Sequence, residues 1–208
     1  MPPSRLQHSE SLMYLHSDDP IRSMGSPDIV LACVVAPSAA EGLNAPLYGS
    51  AFTILCGVTH PTSRGRITPS GPGRNDAPVI DPHYLETEHD RATFRMALKR
   101  ARMVGHHEAL DEWRDTEILP GAPVRSDAEL DAFIARAAST HHHPAGTCRM
   151  GLDTEAVVDP DLRLNGFDNA FVVDASVMPA IPSGPINAAI VAIAETWAAS
   201  SRVTPPAA

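Results

Sequence analysis

The chain has 208 residues, 43% of them hydrophobic and 20% charged, with 16 Lys and Arg against 25 Asp and Glu for a formal net charge of −9. That length suffices for one sizeable core, or for one domain with part of another, and the acidic balance argues against the basic footprint of a nucleic-acid binder. No run reaches the ~18 consecutive apolar residues of a membrane span, so none is expected.

The opening "MPPSRLQHSESLMYLHSDDP" has no apolar secretory core. Cys33, Cys56 and Cys148 cannot all pair with one another, so a reducing, cytoplasmic setting is expected. Residues 1–27 are polar and turn-rich and read as an irregular lead-in. "DIVLACVVA" (28–36) and "AFTILCGVTH" (51–60) are short apolar runs rich in β-branched residues, the pattern of buried strands. "RITPSG" follows the turn "PTSRG" as a third strand. With no helical pattern between the three, a mainly antiparallel sheet is predicted. The 20 prolines lie between periodic segments and act as turn-formers.

From "DPHYLETEHDRATFRMALKRARMVGHHEAL" onward the period changes. Leu85, Phe94, Leu98, Ala101 and Met103 fall near helical spacing. A second helix is predicted over residues 127–139, with Ser126 and Glu129 spaced as a capping box. The composition shifts near residues 139–141. Beyond it, "AVVDPDLRLNG" and "NAFVVDASVMP" read as extended pieces. "INAAIVAIAETWAASS" reads as a helix starting just after Pro185, and residues 201–208 as a tail.

Between these elements lies "HHHPAGTCRMG" (141–151). Its spacing alone leaves three readings open: a metal site using His141, His143 and Cys148, a Cys148 thiolate with a histidine base, or one working histidine on a shaped loop. Pro144 and Gly146 interrupt the ligand spacing, no CxxC or HxxxH accompanies it, and no metal is expected.

The ordered blocks "HPAGTCRMG", "VVDPDLRLNG" and "FVVDASVMPAIPSGPINAAIVAIAE" resemble the C-terminal segment of the glucose–methanol–choline oxidoreductases, flavin enzymes that oxidise alcohols. "HPTSRGRITPSGPGRNDAPVIDPHYL" is similar to that family's substrate-domain strand pair, and the likeness runs from about residue 27 to 199. The resemblance implies an α+β fold: a mainly antiparallel substrate-domain sheet with flanking helices over residues 28–140. Residues 141–200 would supply the active-site loop, strand and helix that complete a Rossmann-like FAD domain supplied elsewhere.

It also implies a catalytic pair, His143 and Asn187, 44 positions apart, although Gly184-Pro185-Ile186 departs from the tripeptide usual before that asparagine. His141 and His142 are expected to point elsewhere. An imidazole with an ordinary pKa near ~6.5 suits removal of a hydroxyl proton, and an amide N–H can stabilise the oxygen left behind. Asp174, Ala175, Asn187, Ala188 and Ala189 are implied to contact FAD, the last three through the start of the final helix. The GxGxxG turn that would hold the ADP part is absent, since "GPGRN" (71–75) lacks its third glycine. The expected partners are therefore a small alcohol and an FAD-binding N-terminal portion or subunit. A non-redox lyase on the same scaffold and a non-catalytic residual domain are the alternatives.

Overall fold

The computed structural model describes residues 9–17 and 25–203, and these fall into two units. Among these, the first comprises residues 9–17, 25–65 and 82–139, the second residues 66–81 and 140–203.

In the first unit, the two apolar runs form β2 (Ile29–Val34) and β3 (Thr53–Val58), paired antiparallel with Leu31 opposite Cys56. β1 (Ser9–Leu15) adds on the other side of β2, giving the order β1-β2-β3. The expected irregular lead-in is therefore corrected over these seven residues; the rest of residues 1–8 and 18–24 lies outside the described residues. Its polar Ser9, Glu10 and Ser11 hid the strand, which draws its order from pairing with the strongly apolar β2. The "RIT" segment, in turn, does not join this sheet.

α1 (Glu88–Gly105) packs on β2 and β3. Thr87 caps it, its hydroxyl accepting from Asp90 N–H. Ile29, Leu31, Ala97 and Ala101 form one buried cluster with Leu15, Ile54 and Cys56 packed around it. There burial pushes the Cys56 thiol up to about 11. Leu98, Leu130, Phe133 and Ile134 form a second cluster, joining α1 to α2 (Asp127–Ala137). The predicted capping box is present: Glu129 N–H donates to the Ser126 hydroxyl and the Glu129 carboxylate accepts from Ser126 N–H. Two members of the expected α1 stripe sit elsewhere. Met103 is 63% exposed, and Leu85 precedes the helix with φ 64°.

In the second unit, β4 (Arg66–Thr68) pairs antiparallel with β5 (Val79–Asp81) as a separate two-stranded sheet. The core is Val158, Leu162 and Val177, surrounded by Met150, Leu164, Val172, Val173, Ile193 and Trp197. The last two come from α3 (Asn187–Val203), which starts directly after Ile186, as Pro185 led us to expect. The extended pieces of residues 156–179 make isolated bridges only, Val158 with Leu164 and Arg163 with Phe171. The expected C-terminal strand "FVVDAS" is thus corrected to one bridge followed by a 3-10 turn, Ala175–Val177. Asp174 diverts the chain, its carboxylate accepting from Ser176 N–H at 2.8 Å.

Altogether the fold is mixed α and β, with antiparallel sheets and three α-helices among the described residues. No helix there is long and apolar enough to cross a membrane.

Candidate active site

The histidine loop is shaped by its backbone. Gly146 N–H donates to Ala175 O (3.4 Å), Cys148 N–H to Ser176 O (2.9 Å) and Met150 N–H to Val177 O (2.8 Å). Alternate loop residues are thus tied to consecutive residues of the 3-10 turn. Gly146 is required here: its φ is +89°, and a Cβ would lie 3.2 Å from Met178 O. Just upstream, His142 takes φ 63° and its N–H donates to the Thr140 hydroxyl at 3.0 Å.

That reversal at His142 brings its two neighbours together. The rings of His141 and His143 lie edge to face with centroids 5.6 Å apart, whereas the sequence reading turned His141 away. Partial burial, then the adjacent imidazoles of His143 and His142, lower the His141 pKa below its ordinary value. His143 itself is half-buried between two exposed neighbours, His142 and Pro144. Residue spacing gave no signal for the ring contact, which depends on one left-handed residue.

The implied FAD-contacting residues fall in two places. Asp174 caps, and Ala175 opens, the 3-10 turn that receives the loop, and the Asp174 carboxylate also accepts from the Ser176 hydroxyl. Asn187, Ala188 and Ala189 open α3, where the first intrahelical bond runs from Ile190 N–H to Ile186 O at 2.9 Å. Their own N–H groups, like those of any first helical turn, have no intrahelical acceptor. Asn187 and Ala188 are exposed while Ile186 is buried, so this positive helix end is presented outward.

Loop and helix rest on one core. Met150 anchors the loop, and Ile193 and Trp197 anchor α3, against the same Val158, Leu162 and Val177. Phe171 packs on Trp197 with ring centroids 5.3 Å apart, and Arg163 lies over Phe171 at 5.8 Å. Arg149, beside Cys148, pairs with Asp153 at 2.6 Å and holds that carboxyl down to about 2. Among the described residues no group of three His, Cys, Asp or Glu is arranged to hold a metal ion.

A family model described as GMC oxidoreductase matches residues 61–194, so the chain belongs to the GMC oxidoreductase family. Pyridoxine 4-oxidase of Microbacterium luteolum is 53% identical over 197 residues, covering 95% of this chain and 38% of that protein. Mitochondrial choline dehydrogenase of Homo sapiens is 41% identical over 152 residues, 72% of this chain and 26% of that one. The crystal structure of pyridoxine 4-oxidase from Mesorbium loti matches with a TM-score of 0.90 and 53% identity, over 98% of this chain and 40% of that one. The chain thus spans well under half the length of these relatives.

Proposed function

We propose that this chain is the C-terminal, base-bearing portion of an FAD-dependent oxidase or dehydrogenase that acts on an alcohol CH–OH group. On this reading the first unit is the substrate-binding part. Residues 140–203 complete the fold of an FAD-binding portion supplied on the same polypeptide or another. The relatives named pyridoxine 4-oxidase and choline dehydrogenase support the reaction class, and the 53% identity over most of the chain makes pyridoxine the first alcohol to test.

The observation that carries the proposal is the common core beneath the histidine loop and α3. It gives the loop that bears His143 and the helix that opens at Asn187 a shared support through Met150, Ile193 and Trp197, as a site requires when proton removal and charge stabilisation act on one small molecule. The residues suit FAD. The first-turn N–H groups of Asn187, Ala188 and Ala189 lack intrahelical acceptors and favour an electron-rich group, and the exposed Asp174 with half-buried Ala175 offers further polar atoms.

Bound FAD supplies the hydride acceptor. His143 accepts the hydroxyl proton of the alcohol on an unprotonated ring nitrogen as the adjacent carbon gives up its hydride, leaving a carbonyl. Asn187 donates an N–H to the substrate oxygen while it carries alkoxide character. Burial and the neighbouring imidazoles, which lower the His141 pKa, disfavour a competing positive charge on that ring beside His143. The Gly146–Met150 ladder holds the loop against rotation.

The test is to co-express the chain with the FAD-binding portion of its pyridoxine 4-oxidase relative and purify the pair. A flavin band near ~450 nm that bleaches on anaerobic addition of pyridoxine or another primary alcohol is the expected result. A band that no alcohol bleaches would favour a non-redox lyase, and a complex with no band would reject the flavin reading.

A further inference from the structure

One groove of the first unit shares no residue with the candidate site. It lies between the last turn of α1 and the loop that follows, and Arg102, Met103, His106, Glu117, Ala122 and Arg125 line it. Its volume of about 470 Å³ suits a small organic molecule better than a bare ion.

The polar groups of this groove are fixed before any ligand arrives. Arg102 donates through Nε and Nη2 to the Glu117 carboxylate at 2.8 to 3.1 Å, and through Nη2 to Gly121 O at 3.1 Å. Only 21% of the Arg102 side chain and 16% of Glu117 stay exposed. Arg125 Nε donates to Ala122 O at 3.0 Å, and His106 Nδ1 donates to Arg102 O at 2.8 Å. Arg102 Nη1 and both Nη atoms of Arg125 have no protein partner among the described residues. A freely rotating surface arginine loses rotamer entropy when it takes a ligand, and these two are already restrained.

Charge selects an anion. Glu117 balances Arg102, whereas the Arg125 guanidinium has no carboxylate partner among the described residues. The carboxylate beside it, Glu129, is engaged by the N–H groups of Arg125 and Ser126 and by the Ser126 hydroxyl. Carbonyls at the end of α1 would repel an anion, but Arg102 O accepts from His106 N–H at 2.9 Å and Val104 O from His107 N–H at 3.1 Å. Met103, exposed to solvent, and Ala122 add an apolar wall.

We propose that this groove binds a small organic oxyanion, a carboxylate or a phosphate monoester carried on a flat apolar body. The two guanidinium groups hold the oxyanion, and Met103 packs on the body. All six residues lie in the first unit, so binding here stands or falls apart from the flavin reading.

The test titrates phenyl phosphate, benzoate and inorganic phosphate into the full chain, alone and co-purified with the FAD-binding portion of the pyridoxine 4-oxidase relative, and follows calorimetry and amide shifts. The expected result is one-to-one binding of phenyl phosphate or benzoate with a Kd below about 1 mM, with shifts centred on residues 102–125. Affinity should fall at least about fivefold in both Arg125→Gln and Met103→Glu. Both side chains are exposed, so thermal melts of these variants without ligand should match the parent. Arg136→Gln, at an exposed arginine of α2, should bind as the parent does. The tighter of the two organic probes tells phosphate monoester from carboxylate. Absence of binding by either organic probe overturns the proposal, as does equal affinity in Arg125→Gln or an equal loss in Arg136→Gln. Inorganic phosphate binding as tightly as phenyl phosphate also overturns it, since charge alone would then account for the contact.

Discussion

The two units reach order by different means. In the first, side chains do the work: Leu130, Phe133 and Ile134 of α2 close on Leu98 of α1. At the surface Arg95 bonds Asp131 at 2.7 Å and also reaches Glu88, while Lys99 meets Asp127 at 2.8 Å. In the second, regular structure is sparse and the loops bond one another through their backbones. Asn165 N–H donates to Val157 O, Val157 N–H to Arg149 O and Gly151 N–H to Val158 O. Turns on positive φ occur in both units, at Gly25, Gly42, Gly49, His83, Leu85 and Gly121 of the first and at His142, Gly146, Leu162 and Gly166 of the second, so it is the loop-to-loop backbone bonding that distinguishes the second. A unit held by packing loses stability when atoms are removed. A unit whose loops are tied by backbone hydrogen bonds over a small core loses geometry first, and it is the second unit that carries the candidate site.

The largest effect expected falls on that site. His143→Ala should lower turnover of the assembled holoenzyme by about 10²–10⁴-fold with unchanged far-UV dichroism; turnover equal to the parent would remove His143 as the base. Leu130→Ala, in the fully buried junction of α1 and α2, should cost about 2–5 kcal/mol in denaturant unfolding. A loss below about 1 kcal/mol would contradict a packing-held first unit.

Gly146→Ala sharpens the contrast. Its left-handed backbone and the nearby Met178 carbonyl give an expected cost of about 1–2 kcal/mol, with a turnover loss larger than that stability change alone would produce. Equal activity would mean that the loop ladder does not set the site's geometry.

Ser126→Ala should be the mildest, about 1 kcal/mol, and has a pH signature. The N–H groups of Arg125 and Ser126, then the Ser126 hydroxyl, hold the Glu129 carboxyl down to about 2 from its ordinary 4.5. A carboxyl depressed in the fold adds stability above 4.5, and that contribution fades as pH falls from 4.5 toward 2. Ser126→Ala should therefore show a shallower acid limb in thermal melts from pH 5 to 2.5, and an identical limb would refute the assignment.

Legibility from sequence tracked how local the cause was. The α2 capping box and the start of α3 need only residues three or four apart, and both could be read directly. β2 and β3 announced themselves as continuous apolar runs. β1 did not, because half of "SESLMYL" is polar and its pairing partner lies fourteen or more residues away. β4 had a strand pattern whose own residues did not say that β5, and not β3, would be its neighbour; only the resemblance marked residues 60–85 as a strand pair. The run "FVVDAS" has strand composition, yet the Asp174 carboxylate turns it aside. At the site, the motif implied His143 and Asn187, whose roles stand as the proposal above, and a composition shift suggested a boundary near residues 139–141. The His141–His143 ring contact and the ladder from Gly146 to the 3-10 turn were invisible, since both follow from backbone angles that no spacing rule encodes.

One small polar cluster has a wider consequence. Asp90 accepts from Thr62 N–H (2.8 Å), Ser63 N–H (3.0 Å) and the Thr62 hydroxyl, while Thr87 N–H donates to the Ser63 hydroxyl. The Ser63 and Thr62 hydrogen bonds, outweighing burial, hold the Asp90 carboxyl below its ordinary range. This knot closes the chain on itself on either side of residues 64–86, so the β4–β5 hairpin between, residues 66–81, can vary without reopening the first unit. Exchange of that hairpin should leave the three-stranded sheet undisturbed, whereas Leu85, packed against the cluster that joins the two helices, has to stay.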